Sequence, residues 1–247
     1  MWILVASSVI TLLALLEYNN LTILKTRDKR ADSLAVLAGV IVPSLVYWRG
    51  PSVIVPALLA SAFVFFLNSF VGEREMKDAA FDVAFKAFGI IYIALPFSYF
   101  ALISGLENGP WWTIFLFAVI WSNDTLAYVT GRRFGRRKLC VSISPGKSVE
   151  GAVGGLAGGL VAALLVNHFA GLGAGFISVI VLSIVLGVVG IAGDLAESVL
   201  KRGAGVKDSG SIVPGHGGVL DRTDSLIFTI PVLYYFLVTG ASPPRAG

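Results

Sequence analysis

A run of ionisable residues lies between two strongly apolar segments near the end of the chain. Asp194 precedes Glu197, Ser198, Lys201 and Arg202 by three, four, seven and eight residues. These offsets place all five side chains on one face of an α-helix. Carboxylates and cations on one stripe suit a metal ion with a polyphosphate beside it. The alternative is a helix end whose charges neutralise one another.

The next segment has the composition of a tight loop. It contains Lys207 and Asp208 and then the run Pro-Gly-His-Gly-Gly at positions 214–218. Proline and paired glycines favour turns that expose backbone N–H groups. We therefore predict a loop that closes over phosphate, with His216 shaping the loop or contacting phosphate.

Two further carboxylates follow where the last apolar segment begins. Asp221 and Asp224 stand three residues apart beside Arg222, so both can face one site from a helix start. Mg²⁺ favours a few carboxylates together with phosphate oxygens. We predict that Asp194 and Asp221 hold one Mg²⁺ between neighbouring helices. Capping of the helix N-terminus is the alternative role for Asp224.

A second acidic point, Asn123-Asp124, lies inside another apolar segment and precedes a basic run at 132–138. Asp124 is expected to be buried. Three roles stay open for it: a substrate-site residue, which we favour, a partner for a loop arginine, or a polar contact between helices. The nearby Gly146-Lys147-Ser148 is not a phosphate-binding P-loop, because Val141 stands where that motif needs its first glycine.

Composition identifies the elements that must position these residues. The 247 residues are 56% hydrophobic and 14% charged, which is typical of a polytopic membrane protein. About 20 apolar residues cross a bilayer as a helix. We predict an all-α integral membrane protein of about eight transmembrane helices, with seven to nine as the range. The spans are placed near 2–16, 33–47, 53–71, 85–104, 111–129, 152–169, 176–192 and 226–240.

The basic residues predict which face carries the site. In the eight-span arrangement, 17 of the 19 Lys and Arg residues fall on alternate loops, and only Arg49 and Arg245 lie on the other side. Loops rich in Lys and Arg stay cytoplasmic. Both termini are therefore expected outside, and the loops that follow the fifth and seventh spans share the cytoplasmic face.

We predict one membrane domain, residues 1–247, with a helical scaffold at 1–108 and a catalytic half at 109–247 that carries loops 130–150 and 194–225. The mixed charges at 72–86 indicate a solvated amphipathic helix at the interface. Gly151, Gly155 and Gly159 recur every four residues along an apolar span, which is typical of close helix packing.

The charged residues near the end of the chain form one motif, Ser198-x2-Lys201-Arg202-x4-Lys207-Asp208-x5-Pro214-Gly-His-Gly-Gly218-x2-Asp221-Arg222-x-Asp224. This motif closely resembles the C-terminal motif of the CDP-diacylglycerol synthases, or phosphatidate cytidylyltransferases. The runs at 122–128, 131–135 and 144–151 resemble that family too. The first 100 residues or so match only as a string of membrane helices.

This resemblance implies that CTP and phosphatidate react to give CDP-diacylglycerol and pyrophosphate in phospholipid biosynthesis. It further implies Mg²⁺, a second cation such as K⁺, a homodimer, and a bacterial-type inner membrane with the site facing the cytoplasm. No nucleic-acid partner is expected. The residues alone support only metal-dependent transfer involving phosphates at that face. The expected catalytic residues are Asp194, Asp221, Lys201 and Asp224, and the expected substrate-binding residues are Ser198, Arg202, Lys207, Asp208, His216, Gly217, Gly218, Arg222, Asn123, Asp124 and Lys147.

Three alternatives remain from the sequence. One is a CTP-dependent lipid kinase that moves the γ-phosphate onto a polyprenol or similar alcohol. A close variant is cytidylyl transfer to an archaeal ether lipid, which needs only a different pocket for the tails. An ion-coupled transporter would use the intramembrane Asp residues as ion sites, but two charged glycine-rich loops serve it poorly.

Overall fold

The structure, a computed structural model, describes residues 2–23, 28–71, 75–212 and 217–239. Nearly all of them are helical. The helices are α1 (Trp2–Asn20), α2 (Lys29–Arg49), α3 (Ile54–Ser69, after a 3-10 turn at Pro51–Val53), α4 (Met76–Gly89), α5 (Leu95–Ile103), α6 (Gly109–Phe134), α7 (Val149–Phe169), α8 (Phe176–Gly203) and α9 (Leu220–Val238). A π-helical turn at Ile90–Ala94 joins α4 to α5.

One small hairpin interrupts the helices in the described part of the chain. Strands β1 (Lys138–Cys140) and β2 (Ser144–Ser148) pair antiparallel between α6 and α7. Ser148 then caps α7, because its hydroxyl accepts the Gly151 N–H at 3.1 Å. Glu150 holds the other side of the hairpin by accepting the backbone N–H groups of Arg136 and Arg137.

The prediction of a polytopic helical membrane protein is confirmed. Seven helical stretches among the described residues are long and apolar enough to span a bilayer, with mean hydropathy from 1.2 to 2.7. The eighth predicted span falls on α9, which begins at Leu220, earlier than the apolar run itself. The first two turns of α9 carry three charged residues, Asp221, Arg222 and Asp224. Because of these charges, α9 is not one of the seven stretches that are apolar enough to span a bilayer.

The chain divides into two compact units. The first comprises residues 1–102 together with 200–223, and the second comprises 103–199 together with 224–247. The segment between α8 and α9 thus groups with the N-terminal helices, which the sequence indicated only as scaffold. The single membrane domain stays a prediction.

In the second unit, glycines let α6 and α7 approach closely, as predicted. A Cβ atom on Gly155 would lie 2.6 Å from the Asn123 carbonyl oxygen, and one on Gly151 would lie 2.8 Å from the Ala127 carbonyl oxygen. Real side chains never approach backbone so closely. Glycine at these positions is therefore what permits the α6–α7 packing.

In the first unit, charged side chains form a buried cluster. The helix predicted at 72–86 corresponds to α4, and Glu75 and Lys77 at its start are exposed, but the prediction of a solvated helix is wrong for Asp82 and Lys86, which are buried. The Lys86 side chain is only 1% exposed and its ammonium pairs with Asp32 on α2. It also lies 3.8 Å from Asp82, one turn earlier on α4, and donates to the Asn19 amide oxygen at 3.0 Å. Alternating charges along the sequence gave no sign that two of them turn inward towards a partner on another helix.

We predict that Lys86→Met destabilises the folded protein strongly. The buried carboxylates of Asp32 and Asp82 would lose their ammonium partner, and breaking a buried ion pair from one side costs about 3–5 kcal/mol. Thermal denaturation of the purified protein in detergent measures the effect.

Lys77→Met is the matched control, because the Lys77–Glu75 pair is solvent-exposed, with side-chain exposures of 78% and 70%. Such pairs contribute about 0–1 kcal/mol. Equal, small shifts for the two variants would contradict a stabilising role for the buried cluster.

Candidate active site

The predicted site residues fall into two groups, one in each compact unit, and each group is described by itself. The first group surrounds the polar loop, which we define as residues 204–219. Pro214, Gly215 and His216 lie outside the described residues. The second group lies on α6, strand β2, α8 and α9 and comprises Asn123, Asp124, Lys147, Asp194, Ser198 and Asp224.

Asp221 is the centre of the first group. Its Oδ1 accepts a hydrogen bond from the Lys201 ammonium at 2.6 Å. Its Oδ2 accepts from the Ser209 N–H at 2.9 Å, the Ser209 hydroxyl at 2.9 Å and the Gly218 N–H at 2.7 Å. Partial burial alone would raise the pKa of this carboxyl, but the Lys201 ammonium and the Gly218 and Ser209 donors lower it to about 2. The carboxylate is therefore held ionised at the start of α9.

The glycines of the polar loop are needed for this arrangement. Gly217 has φ +81°, a left-handed conformation, and a Cβ atom there would lie 2.7 Å from Asp221 Oδ2. The Gly218 N–H was predicted to face phosphate, and it donates to Asp221 instead. The N–H groups of Ser209 and Gly218 thus both point to a carboxylate of the protein.

Most of the other polar residues of this group are exposed. Arg202, Lys207, Asp208 and Arg222 all lie at the surface, and Arg202 Nη1 donates to the Val206 carbonyl at 2.9 Å. Lys201 differs from them because it is buried against Asp221. Three exposed cations near one ionised carboxylate leave this surface able to attract anions.

Asp194 is the centre of the second group. Its Oδ2 pairs with the Lys147 ammonium at 2.6 Å, and its Oδ1 accepts a long hydrogen bond of 3.5 Å from the Ser198 hydroxyl. Asp124 lies within electrostatic range of both Asp194 and Lys147. Two carboxylates around one ammonium leave a net negative charge, which suits a further cation.

Two expectations for this group change. Asp124 was expected to be buried, but its side chain is exposed on α6, whereas its neighbour Asn123 is fully buried. Asp224 lies in the second turn of α9 and is not an N-cap, because the helix already begins at Leu220. Its Oδ1 accepts the Ser225 N–H at 2.6 Å.

Comparison with known proteins shows the family of this chain. The model of the cytidylyltransferase family matches residues 1–239. This chain belongs to the cytidylyltransferase family. It is 32% identical over 239 residues to the phosphatidate cytidylyltransferase of Staphylococcus aureus (strain COL), covering 96% of this chain and 90% of that one.

Two other bacterial proteins align over shorter regions. The identity is 45% over 157 residues with the phosphatidate cytidylyltransferase of Bacillus subtilis (strain 168), covering 63% of this chain and 58% of that one. It is 39% over 182 residues with the phosphatidate cytidylyltransferase of Staphylococcus saprophyticus, covering 74% and 68%.

The oxygen donors of this cytidylyltransferase suit Mg²⁺. Among residues 2–23, 28–71, 75–212 and 217–239, no group of three or more His, Cys, Asp or Glu side chains is arranged to hold a metal ion. Mg²⁺ does not need such a cage, since one or two carboxylates and substrate phosphates suffice. Asp194 Oδ2 and Asp221 Oδ1 each have a lysine ammonium as partner. Asp194 and Asp221 belong to different units, so the Mg²⁺ site predicted between them stays a prediction.

Sequence reasoning missed one residue of the first group, Glu17 on α1. Its carboxylate accepts the Val219 N–H at 2.9 Å, the Leu220 N–H at 2.8 Å and the Ser209 hydroxyl at 3.2 Å. The only signal in the sequence is a carboxylate directly after a long apolar run. This position indicates that the Glu17 carboxylate needs a polar partner, but it does not indicate which residue that partner is.

We predict that Gly218→Ala disrupts the polar loop. A Cβ atom at this position would collide with Glu17 Oε2 and the Ser209 hydroxyl oxygen, and overpacking of this kind costs about 1–3 kcal/mol. Hydrogen–deuterium exchange at residues 217–221 should accelerate, and cytidylyl-transfer activity should fall.

Gly203→Ala is the control, because nothing lies within 4 Å of a Cβ atom there and φ is not positive. It should leave exchange in the polar loop unchanged. Slow, unchanged exchange in Gly218→Ala would show that the loop does not pack as described.

Proposed function

We propose that this chain is a CTP:phosphatidate cytidylyltransferase, which makes CDP-diacylglycerol and pyrophosphate from CTP and phosphatidate in phospholipid biosynthesis. The observation that supports it most is the Asp221 carboxylate, held ionised by Lys201 and the polar loop beside exposed cations. The family match adds the cytidylyl group, and the names of the bacterial relatives add the lipid.

In the proposed reaction, a phosphate oxygen of phosphatidate attacks the α-phosphorus of CTP. A new O–P bond forms in line with the bond to the β-phosphate, which breaks, and pyrophosphate leaves with its electron pair. The lipid phosphate is already nucleophilic near neutral pH when it is dianionic, so no dedicated base is required. Positioning and electrostatic stabilisation supply most of the acceleration.

The cationic side chains bind the phosphates in this proposal. Lys147 and Lys201 each form an ion pair with an aspartate. A bound polyphosphate would carry more negative charge than that single carboxylate and would compete for the ammonium. Arg202, Lys207 and Arg222 are exposed and complete the clamp. Their task is to hold the lipid phosphate and the nucleotide in line and to balance negative charge as it moves onto the leaving group.

Mg²⁺ is the proposed cofactor, with Asp194 and Asp221 as its protein ligands and K⁺ as a plausible second cation. When bound, Mg²⁺ neutralises charge on the transferring and leaving phosphates. Asp124 and Asp224 add negative charge near Asp194 and Asp221 in the sequence-derived site. We further propose that the site faces the cytoplasm, where CTP is made, and that the protein acts as a homodimer.

The reaction is tested with purified protein in detergent, phosphatidate, Mg²⁺ and CTP labelled at either the α- or the γ-phosphate. Cytidylyl transfer puts the α-label into the lipid and the γ-label into pyrophosphate, and mass spectrometry identifies CDP-diacylglycerol. Transfer of the γ-label to a lipid alcohol, with release of CDP, would establish a lipid kinase and refute the proposal.

We predict that Asp221→Asn lowers turnover by at least about 100-fold, the usual effect of removing one charged group that acts in the transition state. The amide cannot balance Lys201 or bind a cation as a carboxylate does. The α-label assay measures turnover, and gel filtration after mild heating checks that the protein is folded.

Asp78→Asn makes the same chemical change in the first turn of α4, away from the polar loop in sequence. It should retain the wild-type turnover. Near-normal turnover of Asp221→Asn in folded protein would remove Asp221 from the catalytic residues.

A further inference from the structure

We propose that Glu17 is a positioning residue: it fixes the N-terminus of α9 and Ser209, and through them it sets the orientation of Asp221. This inference rests on the proposed function, since it assigns Glu17 a role in that reaction. Glu17 lies near the C-terminal end of α1, about 200 residues before its partners in the sequence.

The contacts of Glu17 are those of a helix cap supplied from another helix. Glu17 is 2% exposed. Its two oxygens accept the N–H groups of Val219 and Leu220, at 2.9 and 2.8 Å, where α9 begins. The first N–H groups of a helix have no partner within the helix, and the helix dipole favours negative charge there. Glu17 thus satisfies both requirements at the α9 N-terminus.

Ser209 connects Glu17 to Asp221. The Ser209 hydroxyl oxygen lies 3.2 Å from Glu17 Oε2 and 2.9 Å from Asp221 Oδ2. A hydroxyl has one proton to donate, so the two carboxylates share it. The Ser209 N–H donates to Asp221 as well, at 2.9 Å. Any shift of Ser209 that follows the loss of Glu17 is therefore passed directly to the Asp221 carboxylate.

Gly210 and Gly218 of the polar loop both lie against the Glu17 carboxylate. A Cβ atom on Gly210 would lie 2.6 Å from Glu17 Oε1, and one on Gly218 would collide with Glu17 Oε2. Glycines on both sides of a buried carboxylate allow the backbone to close around it. The absence of a side chain at Gly210 and Gly218 is therefore needed to accommodate the Glu17 carboxylate.

Charge distinguishes Glu17 from a residue that only fills space. A carboxylate accepts from all three donors, whereas a glutamine amide of the same shape accepts at one oxygen only and turns its NH₂ group towards a donor. Hydrogen bonds to a charged acceptor are also stronger than those to a neutral one. Glu17→Gln therefore preserves packing and removes the positioning contact.

The test compares full-length wild type, Glu17→Gln and Glu75→Gln in detergent. Glu75 is exposed and its carboxylate pairs with the exposed Lys77. The Glu75→Gln variant therefore controls for the chemical change from carboxylate to amide. We expect Glu17→Gln to lower kcat by about 10- to 100-fold, the cost of a small misplacement of reacting groups. The KM for CTP should stay at the wild-type value.

A second comparison separates positioning from a general loss of structure. If Glu17 acts through Ser209, the fall in kcat caused by Glu17→Gln shrinks when Ser209→Ala is already present. The proposal is overturned if Glu17→Gln lowers kcat by the same factor with and without Ser209→Ala. It is also overturned if the kcat of Glu17→Gln equals that of wild type.

Hydrogen–deuterium exchange tests Glu17 without relying on the reaction. In Glu17→Gln, exchange at the Val219 and Leu220 amides should accelerate, while α6 and α7 exchange as in wild type. Unchanged exchange at those two amides refutes the cap. If wild type makes no CDP-diacylglycerol, the proposed function fails, and this measurement still decides whether Glu17 holds the start of α9.

Discussion

The cost of placing an ionised group among apolar helices governs this structure, because each such charge must find a partner. Three lysines meet that need by pairing with aspartates in the described part of the chain: Lys86 with Asp32 and Asp82, Lys147 with Asp194, and Lys201 with Asp221. The Lys86 ammonium is buried among helices. The other two lysines and their aspartates belong to the site that the sequence predicts, so the same type of ion pair occurs in the buried cluster and in the predicted site.

The polar loop shows how backbone donors take part in this charge balance. Glycine-rich loops in many proteins turn their N–H groups to a bound phosphate. Here the N–H groups of Gly218, Val219 and Leu220 turn to Asp221 and Glu17. These three backbone donors therefore stabilise carboxylates of the protein.

Apolar run length predicted the helices well. Seven of the eight proposed spans each correspond to one helix where the structure describes them, and the span at 85–104 covers the end of α4, the π-helical turn and α5. The spacing from Ser198 to Asp224 indicated the chemistry, since residue types and intervals were both informative there. Glu17 and the inward-facing Lys86 were not predictable. Their partners lie about 200 and 54 residues away, and no local periodicity records such contacts. The exposure of Asp124 was missed because an apolar neighbourhood in sequence does not define which side of a helix is covered.

The pairing of both key aspartates with lysine connects stability to the proposed chemistry. An ammonium bound to a single carboxylate can exchange to a polyphosphate, because several negative charges attract it more strongly than one does. Lys147 and Lys201 lie 2.6 Å from the carboxylate oxygens of Asp194 and Asp221, and the proposed reaction assigns that exchange to them. In the proposed reaction, each exchange would free one carboxylate oxygen. Lys201 contacts Asp221 at Oδ1, whereas the Ser209 and Gly218 donors contact it at Oδ2, so an exchange at Oδ1 does not require those donors to move.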